Sequence, residues 1–339
     1  MRHINVPVFV PHLGCPNKCV FCDQRAISGV SYFSEDDACA VIDETLTTVG
    51  DGDECEIAFF GGSFTGIDRD LMIRLLDLAE GYVKAGRVTG IRMSTRPDYI
   101  DPDIIGILKR YTVRAVELGI QSMNDRVLAQ SKRGHTAADT ARAAGLLRDA
   151  GIPLVGQMMV GLPGSTPRDE VDCAEKICSL GAAACRIYPT LVFRNTELCE
   201  MMNRGEYVPL TVDEAVMRSA DALSVFARHG VGCLRIGLCD SERLSNDGDF
   251  VAGPRHDAMG ELVKSEMYRR AMKRELDSLE KEGKLTGSVE ISVPKGDLSA
   301  AVGHKGRNRA EILASYPINS IVFLEKHSIL WYNVEVRLI

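Results

Sequence analysis

Ile4-Asn5-Val6-Pro7-Val8-Phe9-Val10 leads into Cys15-Pro16-Asn17-Lys18-Cys19-Val20-Phe21-Cys22, an extended apolar run followed at once by three cysteines. The spacing is C-x3-C-x2-C. Three thiolates on one tight loop suit three corners of a cubane [4Fe–4S] cluster and leave the fourth iron without a protein ligand. Cys19 and Cys22 alone would suit half of a zinc site, whose other half is usually a second Cys/His pair. The chain has no second C-x2-C, and Cys173 and Cys178 sit in a helical stretch with no third ligand close by in sequence. A thioredoxin-like redox pair would leave Cys15 without a role. His12, just before the loop, suits structural hydrogen bonding better than ligation.

Outward from this junction, short apolar runs alternate with helical patterns. Strands are expected at Asn5–Val10, Glu56–Phe60, Gly90–Ser94, Ala115–Gly119, Leu154–Val160, Ala184–Tyr188 and Gly232–Gly237. Helical spacing marks Leu71–Tyr82, Thr136–Ala150, Arg168–Leu180 and Val212–Arg228. Repeated β-then-α units imply a parallel sheet, and six or seven of them give a barrel or an incomplete barrel. The polar motifs fall at strand C-termini, where barrel enzymes build their sites.

The chain has 339 residues, 45% hydrophobic and 26% charged, which suits a globular protein with one large domain and a small one. Its cysteine count, 11, is odd and the spacing irregular, so thiols in a reducing cytoplasm are expected rather than disulfides. No secretory segment is expected at the start, because the apolar run is short and broken by Pro7 and Pro11. No run reaches membrane-spanning length. A formal net charge of −7 gives no general attraction to nucleic acid but leaves room for a local basic patch.

Phe59-Phe60-Gly61-Gly62-Ser63 closes the second strand, and its two glycines would let a ligand lie against the backbone. Ser94-Thr95-Arg96-Pro97-Asp98 closes the third, with hydroxyls and a guanidinium suited to a ribose or carboxylate. Asp98 alternatively suits a helix N-cap. Glu117 and Gln121 end the fourth strand, Arg133-Gly134-His135 follows, and Gln157-Met158-Met159 with Gly161-Leu162-Pro163-Gly164 ends the fifth. The two methionines suit a core. Arg133 suits either the site or the surface. Arg186, Tyr188 and Thr190 suit either substrate contact or a buried network.

The cysteine loop with Phe21, followed by these blocks in this order, resembles the radical S-adenosylmethionine (SAM) superfamily. Over residues 5–240 it resembles the subgroup of the Elongator catalytic subunit and oxygen-independent coproporphyrinogen oxidase. The resemblance implies an α/β incomplete parallel (β/α) TIM-like barrel with a [4Fe–4S] cluster on Cys15, Cys19 and Cys22. It also implies SAM on the open iron, reductive cleavage to a 5′-deoxyadenosyl radical, and hydrogen abstraction. Phe21, Gly61, Gly62, Ser63, Ser94, Gln121, Arg133 and Gln157 are then the expected SAM contacts, with a low-potential donor such as flavodoxin or ferredoxin supplying the electron. The Elongator family has a longer first cysteine gap, and nothing here resembles its acetyltransferase domain.

After Gly253 the pattern changes. Arg255–Glu282 reads as a long charged helix with an apolar stripe. A β-α-α-β-β unit follows: Val289–Val293, a helical turn from Asp297, a helix to about Tyr316, then Ser320–Lys326 and Leu330–Leu338. Boundaries are expected at 1–250 for the barrel, 251–285 for a helical linker and 286–339 for a small α+β domain. Gly303-His304-Lys305-Gly306 resembles the GxxG loop of a KH domain, which implies RNA contacts from Gly303, His304, Lys305, Gly306, Arg307 and Arg309. RNA, tRNA in particular, is the expected substrate. A small metabolite with the C-terminal unit as a barrel cap stays open, as does a non-catalytic iron–sulfur module. Arg255 and His256 are further candidates at the junction.

Overall fold

In the computed structural model, residues 3–10, 15, 19–23, 33–50, 52–238 and 249–339 are described. His12 and the residues between Cys15 and Cys19 lie outside them. Seven parallel strands form one sheet in the order β1 (His3–Val10), β2 (Glu54–Gly61), β3 (Gly90–Thr95), β4 (Val113–Gln121), β5 (Leu154–Val160), β6 (Ala184–Pro189), β8 (Gly232–Ile236). β1 and β8 are the two ends of that order, so the sheet curls into an open half-barrel. The strand register is continuous from His3↔Glu54 at one end of β1 to Val10↔Gly61 at the other.

Helices on the outside return the chain to the start of each next strand. Three of them begin with a Thr-x-x-Asp/Glu sequence: α5 (Ala137–Asp149) after Thr136, α6 (Pro167–Ser179) after Thr166, and α8 (Val212–Arg228) after Thr211. In each the threonine oxygen accepts from the third helical N–H, and the acid accepts from the threonine N–H in return. Capping each helix at its first residue fixes where each βα loop ends. Between sheet and helices lies one apolar core, with Phe59 and Phe64 stacked at 4.4 Å between ring centroids. Each such fully buried ring stabilises the fold by about 1.5–3 kcal/mol.

A short antiparallel pair, β7 (Val192–Phe193) and β9 (Phe250–Ala252), sits beyond the end of β6. The long helix expected at 255–282 forms as α9 (Met259–Lys281). It starts later because Pro254 and a turn from the Arg255 N–H to the Gly253 carbonyl precede it. Its first half buries Met259, Val263 and Met267 in the barrel core. Its second half buries Tyr268, Ala271, Met272 and Leu276 in a separate C-terminal core.

That second body is a three-stranded sheet in the order β11 (Ser320–Lys326), β10 (Ser288–Pro294), β12 (Glu335–Leu338), with β10 parallel to β11 and antiparallel to β12. Helices α10 (Leu298–Val302) and α11 (Arg307–Ser315) flank the Gly303–Gly306 loop. The last strand was expected from Leu330. It begins at Glu335 because Tyr332 takes a left-handed φ of 60° and turns the chain back.

Candidate cluster and cofactor site

β1 and β2 end side by side, and the cysteine loop leaves from β1 at that point. Gly61 has φ +114°, and a Cβ there would stand 2.8 Å from the Val10 carbonyl oxygen. Gly62 donates its N–H to the same oxygen at 3.2 Å. Gly61 is therefore required by the close approach of the two strand ends. Ser63 is 1% exposed and spent on the scaffold. Its hydroxyl lies 2.7 Å from Thr95 Oγ1 and accepts from the Arg96 N–H, so only backbone faces the site there.

The described part of the loop, Cys19 to Cys22, is fastened from several sides. Val20 donates to the Ser131 carbonyl and accepts from the Leu198 N–H, while the Cys22 N–H bonds back to the Cys19 carbonyl. Cys19, Val20 and Phe21 pack with Leu162, Val192, Leu198 and Tyr207, with Cys22, Met159 and Ala252 at the margin. Met159 thus belongs to the wall of the cysteine loop, whereas Met158 lies in the core between sheet and helices. The alternation puts Gln157 on the Met159 face, toward the lumen, with half-buried Ser94 two strands away. No three His, Cys, Asp or Glu side chains among the described residues close on a single-ion site. A cubane takes its thiolates at separate corners instead.

At the end of β4 the register slips between Gly119 and Gln121, and Gln121 adopts φ 65°. Such a bulge re-aims a side chain. Gln121 is 5% exposed, yet its Oε1 finds no hydrogen bond. Arg133, the residue that could have been a surface cation, is 7% exposed. Its Nη2 donates to the Gly119 carbonyl at 2.6 Å, its Nη1 to Cys19 Sγ at 3.3 Å, and its Nε has no partner.

Arg96, absent from the expected contacts, is the most deeply buried cation of the site at 2% exposure. Asp98 pairs with it through two hydrogen bonds of 2.9 and 2.8 Å, and the helix N-cap considered for Asp98 is made by Asp101. Arg96 Nη1 remains unpaired. Burial opposes its charge, but Asp98, with Cys15 and Cys19 beyond, holds the guanidinium above its ordinary pKa. His135 is 3% exposed, and burial followed by the Arg133 charge pushes it down to about 4, so it is neutral at pH 7. The sequence signal for Arg96 was its place at a strand end in Ser94–Asp98.

Below this layer Glu56, Arg92, Glu117 and Arg186 form a buried chain of ion pairs. Arg186 also bonds Tyr188 and lies over the Phe60 ring at 5.7 Å.

Buried donors and acceptors normally find partners. Unpaired atoms of Arg96, Gln121 and Arg133, the last bonded to Cys19 Sγ, therefore leave hydrogen-bonding capacity for a polar guest. That donor set fits a cubane cluster with a chelating, zwitterionic ligand.

A parallel half-barrel with a thiol loop on its first strand defines a cluster-bearing barrel enzyme. The sequence pattern of the radical SAM superfamily matches residues 9–177, and that of the radical SAM C-terminal domain matches residues 182–269. The chain belongs to the radical SAM superfamily, whose cofactors are a [4Fe–4S] cluster and SAM.

The tRNA uridine(34) acetyltransferase of Methanocaldococcus jannaschii is 30% identical over 254 residues, which are 68% of this chain and 45% of that protein. An uncharacterized protein of the same organism is 29% identical over 227 residues, 62% of this chain and 68% of that protein. Elongator complex protein 3 of Saccharomyces cerevisiae is 26% identical over 175 residues, 46% of this chain and 31% of that protein. The chain spans less than half the length of the two named relatives. Among solved structures, archaeal Methanocaldococcus infernus Elp3 shares the fold, with a TM-score of 0.60 at 24% identity over 84% of this chain and 64% of that one.

Proposed function

We propose that this radical SAM enzyme modifies an RNA, tRNA in particular, by hydrogen abstraction. Cys15, Cys19 and Cys22 would carry the cluster. SAM would lie along the ends of β2 to β5, against the backbone of Gly61, Gly62 and Ser63. Gln121, Arg133 and Arg96 would offer it their unpaired atoms, with Ser94 and Gln157 on the lumen side and Phe21 against the adenine. When bound and reduced, the cluster supplies the electron that cleaves SAM and yields the radical. The protein's own residues position SAM and keep the pocket dry. A flavodoxin- or ferredoxin-type donor supplies the electron, and the cytoplasm is the proposed compartment. Among the described residues no helix is long and apolar enough to cross a membrane.

The observation that carries the cofactor assignment is the cluster of unpaired buried polar atoms beside Cys19. RNA as substrate is supported by relatives named for tRNA modification and by the exposed cations Lys305, Arg307 and Arg309 around the glycine loop. Acetyl transfer is not proposed, because the match covers only 45% of the acetyltransferase.

The test is anaerobic cluster reconstitution, reduction in the presence of SAM, and quantification of 5′-deoxyadenosine with and without bulk tRNA. The expected result is product that requires Cys19, by comparison with Cys19→Ala, and that rises with tRNA. Product indifferent to tRNA would move the assignment to a small-molecule substrate. No product from a fully loaded cluster would overturn the catalytic assignment.

A further inference from the structure

The glycine loop of the C-terminal body is fixed against the rim of the barrel. Gly303 has φ +88°, and a Cβ on it would stand 2.7 Å from the Asn308 nitrogen. Lys305 and Gly306 are left-handed as well, at 53° and 76°. The base of the loop is clamped by Asn308, which is 3% exposed. Its amide donates to the Ser265 carbonyl at 2.9 Å, to Ser265 Oγ at 3.0 Å and to the Ala301 carbonyl at 3.1 Å. Ser265 lies on α9 between residues that build the barrel core.

Two contacts then carry the loop to the barrel. Arg307 lies 3.7 Å from Asp213 in the first turn of α8. A helix that returns from one parallel strand to the next begins at the strand C-termini, so this contact is on the functional face. His304 meets His256 edge to face, with ring centroids 6.1 Å apart. From His256 the chain runs back through Arg255, which covers the Phe250 ring at 5.4 Å, to Gly253, whose Cβ position is 3.0 Å from the Thr190 carbonyl. Ala252 next to it packs against the group containing Cys19, Val20 and Phe21.

We infer that residues 253–256 and the Gly303–Arg309 segment form one track for unpaired RNA, leading from the C-terminal body to the cysteine loop. This rests on RNA being the substrate, and adds the form of the RNA and its path. The cations on the track are few: Lys305, Arg309 and Arg255, with Arg307 shared with Asp213. Duplex binding relies on neutralising many phosphates, more than the four cations of these two segments offer. Affinity must come from close backbone approach at the glycine loop and from bases lying on exposed rings, here His304 and His256. Both demand unstacked nucleotides.

The experiment uses the full-length protein, a short single-stranded oligoribonucleotide containing 4-thiouridine, its matched duplex, and bulk tRNA. Anisotropy should show the single strand bound and the duplex bound far more weakly. Cross-links from one oligonucleotide should fall on peptides containing both 253–256 and 303–309. His256→Ala should weaken single-strand binding about fivefold, and His256→Phe should restore it. Lys305→Glu should weaken binding and reduce the salt slope by about one. Unchanged melting temperatures and iron contents confirm that the variants are folded. Equal affinity for the duplex, cross-links confined to one peptide, or His256→Phe behaving as His256→Ala would each overturn the track. If tRNA still binds in those cases, RNA as substrate survives. If no RNA binds at all, the track and the RNA substrate fall together.

Discussion

Arg133 donates to Cys19 Sγ at 3.3 Å from one guanidinium nitrogen while a second is tied to the Gly119 carbonyl at 2.6 Å. The charge is fixed in a buried pocket beside a thiol proposed to ligate the cluster, and hydrogen bonds to the ligating sulfurs of such clusters set the reduction potential. Reduction adds negative charge, so a fixed cation stabilises the reduced state and raises the potential. Arg133→Gln is expected to lower it by about 60 mV, equivalent to about 1.4 kcal/mol, with Arg133→Lys losing less. Redox titration followed by electron paramagnetic resonance checks this. An unchanged potential in Arg133→Gln would leave Arg133 a scaffold residue.

Glu117 holds two arginines at once: Arg92 at 3.2 Å and Arg186 at 2.8 Å. It is 2% exposed, so its removal leaves buried Arg186 without a carboxylate partner and Arg92 with Glu56 alone. Glu117→Ala is expected to cost about 3–5 kcal/mol. On the surface, Glu175 pairs with Arg228 and His229, all more than 40% exposed, and Glu175→Ala should leave stability almost unchanged. Urea unfolding of the two variants side by side measures the difference. A Glu117→Ala cost as small as that of Glu175→Ala would show that the lumen chain is solvated.

How much of this was legible depended on whether the signal was local. The βα alternation fixed the strands because each apolar run is bounded by its own turn and cap, and Leu154–Val160 and Val212–Arg228 coincide with the expected spans. The thiol motif was legible because Cys15, Cys19 and Cys22 fall within eight consecutive residues. The Arg96 guanidinium was legible as a polar group at a strand end, but its burial, like that of His135, and its missing partner lie in contacts that neighbouring residues in sequence do not reveal. That the Ser63 hydroxyl is bonded to Thr95, 32 positions away, was likewise not legible, which leaves its backbone to face the site. The same limit applies to α9: an amphipathic stripe shows that a helix is buried, not that its two halves serve two different cores.

His135 makes stability depend on pH. Burial and Arg133 lower its folded pKa to about 4 from 6.5, so the unfolded chain binds the proton more readily. Its contribution is therefore complete above pH 6.5 and is lost as pH falls toward 4. Between pH 7 and 5 this single group should remove about 2 kcal/mol of stability. His135→Gln should flatten that part of the profile. Denaturant midpoints at the two pH values test it, and a variant with the wild-type slope would assign the dependence to other groups.

Gly61 and Gly81 separate a glycine required by packing from one that is not. At Gly61 a methyl group would stand 2.8 Å from the Val10 oxygen and 3.1 Å from the Val10 nitrogen, and φ is +114°. Both neighbours are backbone, so neither can swing away. Gly61→Ala is expected to cost about 1–3 kcal/mol. Because β1 would be pushed from β2 where the cysteine loop departs, iron incorporation should fall as well. Gly81 lies in α2 (Arg69–Lys84) with nothing within 4 Å of its Cβ position. There the helical preference for alanine acts unopposed, and Gly81→Ala should stabilise by about 0.5–1 kcal/mol. Opposite signs from the same chemical change, read by urea midpoints with iron assays on both proteins, would tie the strand-end glycine to cluster loading. A neutral, fully loaded Gly61→Ala protein would mean that the strand end yields, and that the glycine there answers only to the ligand.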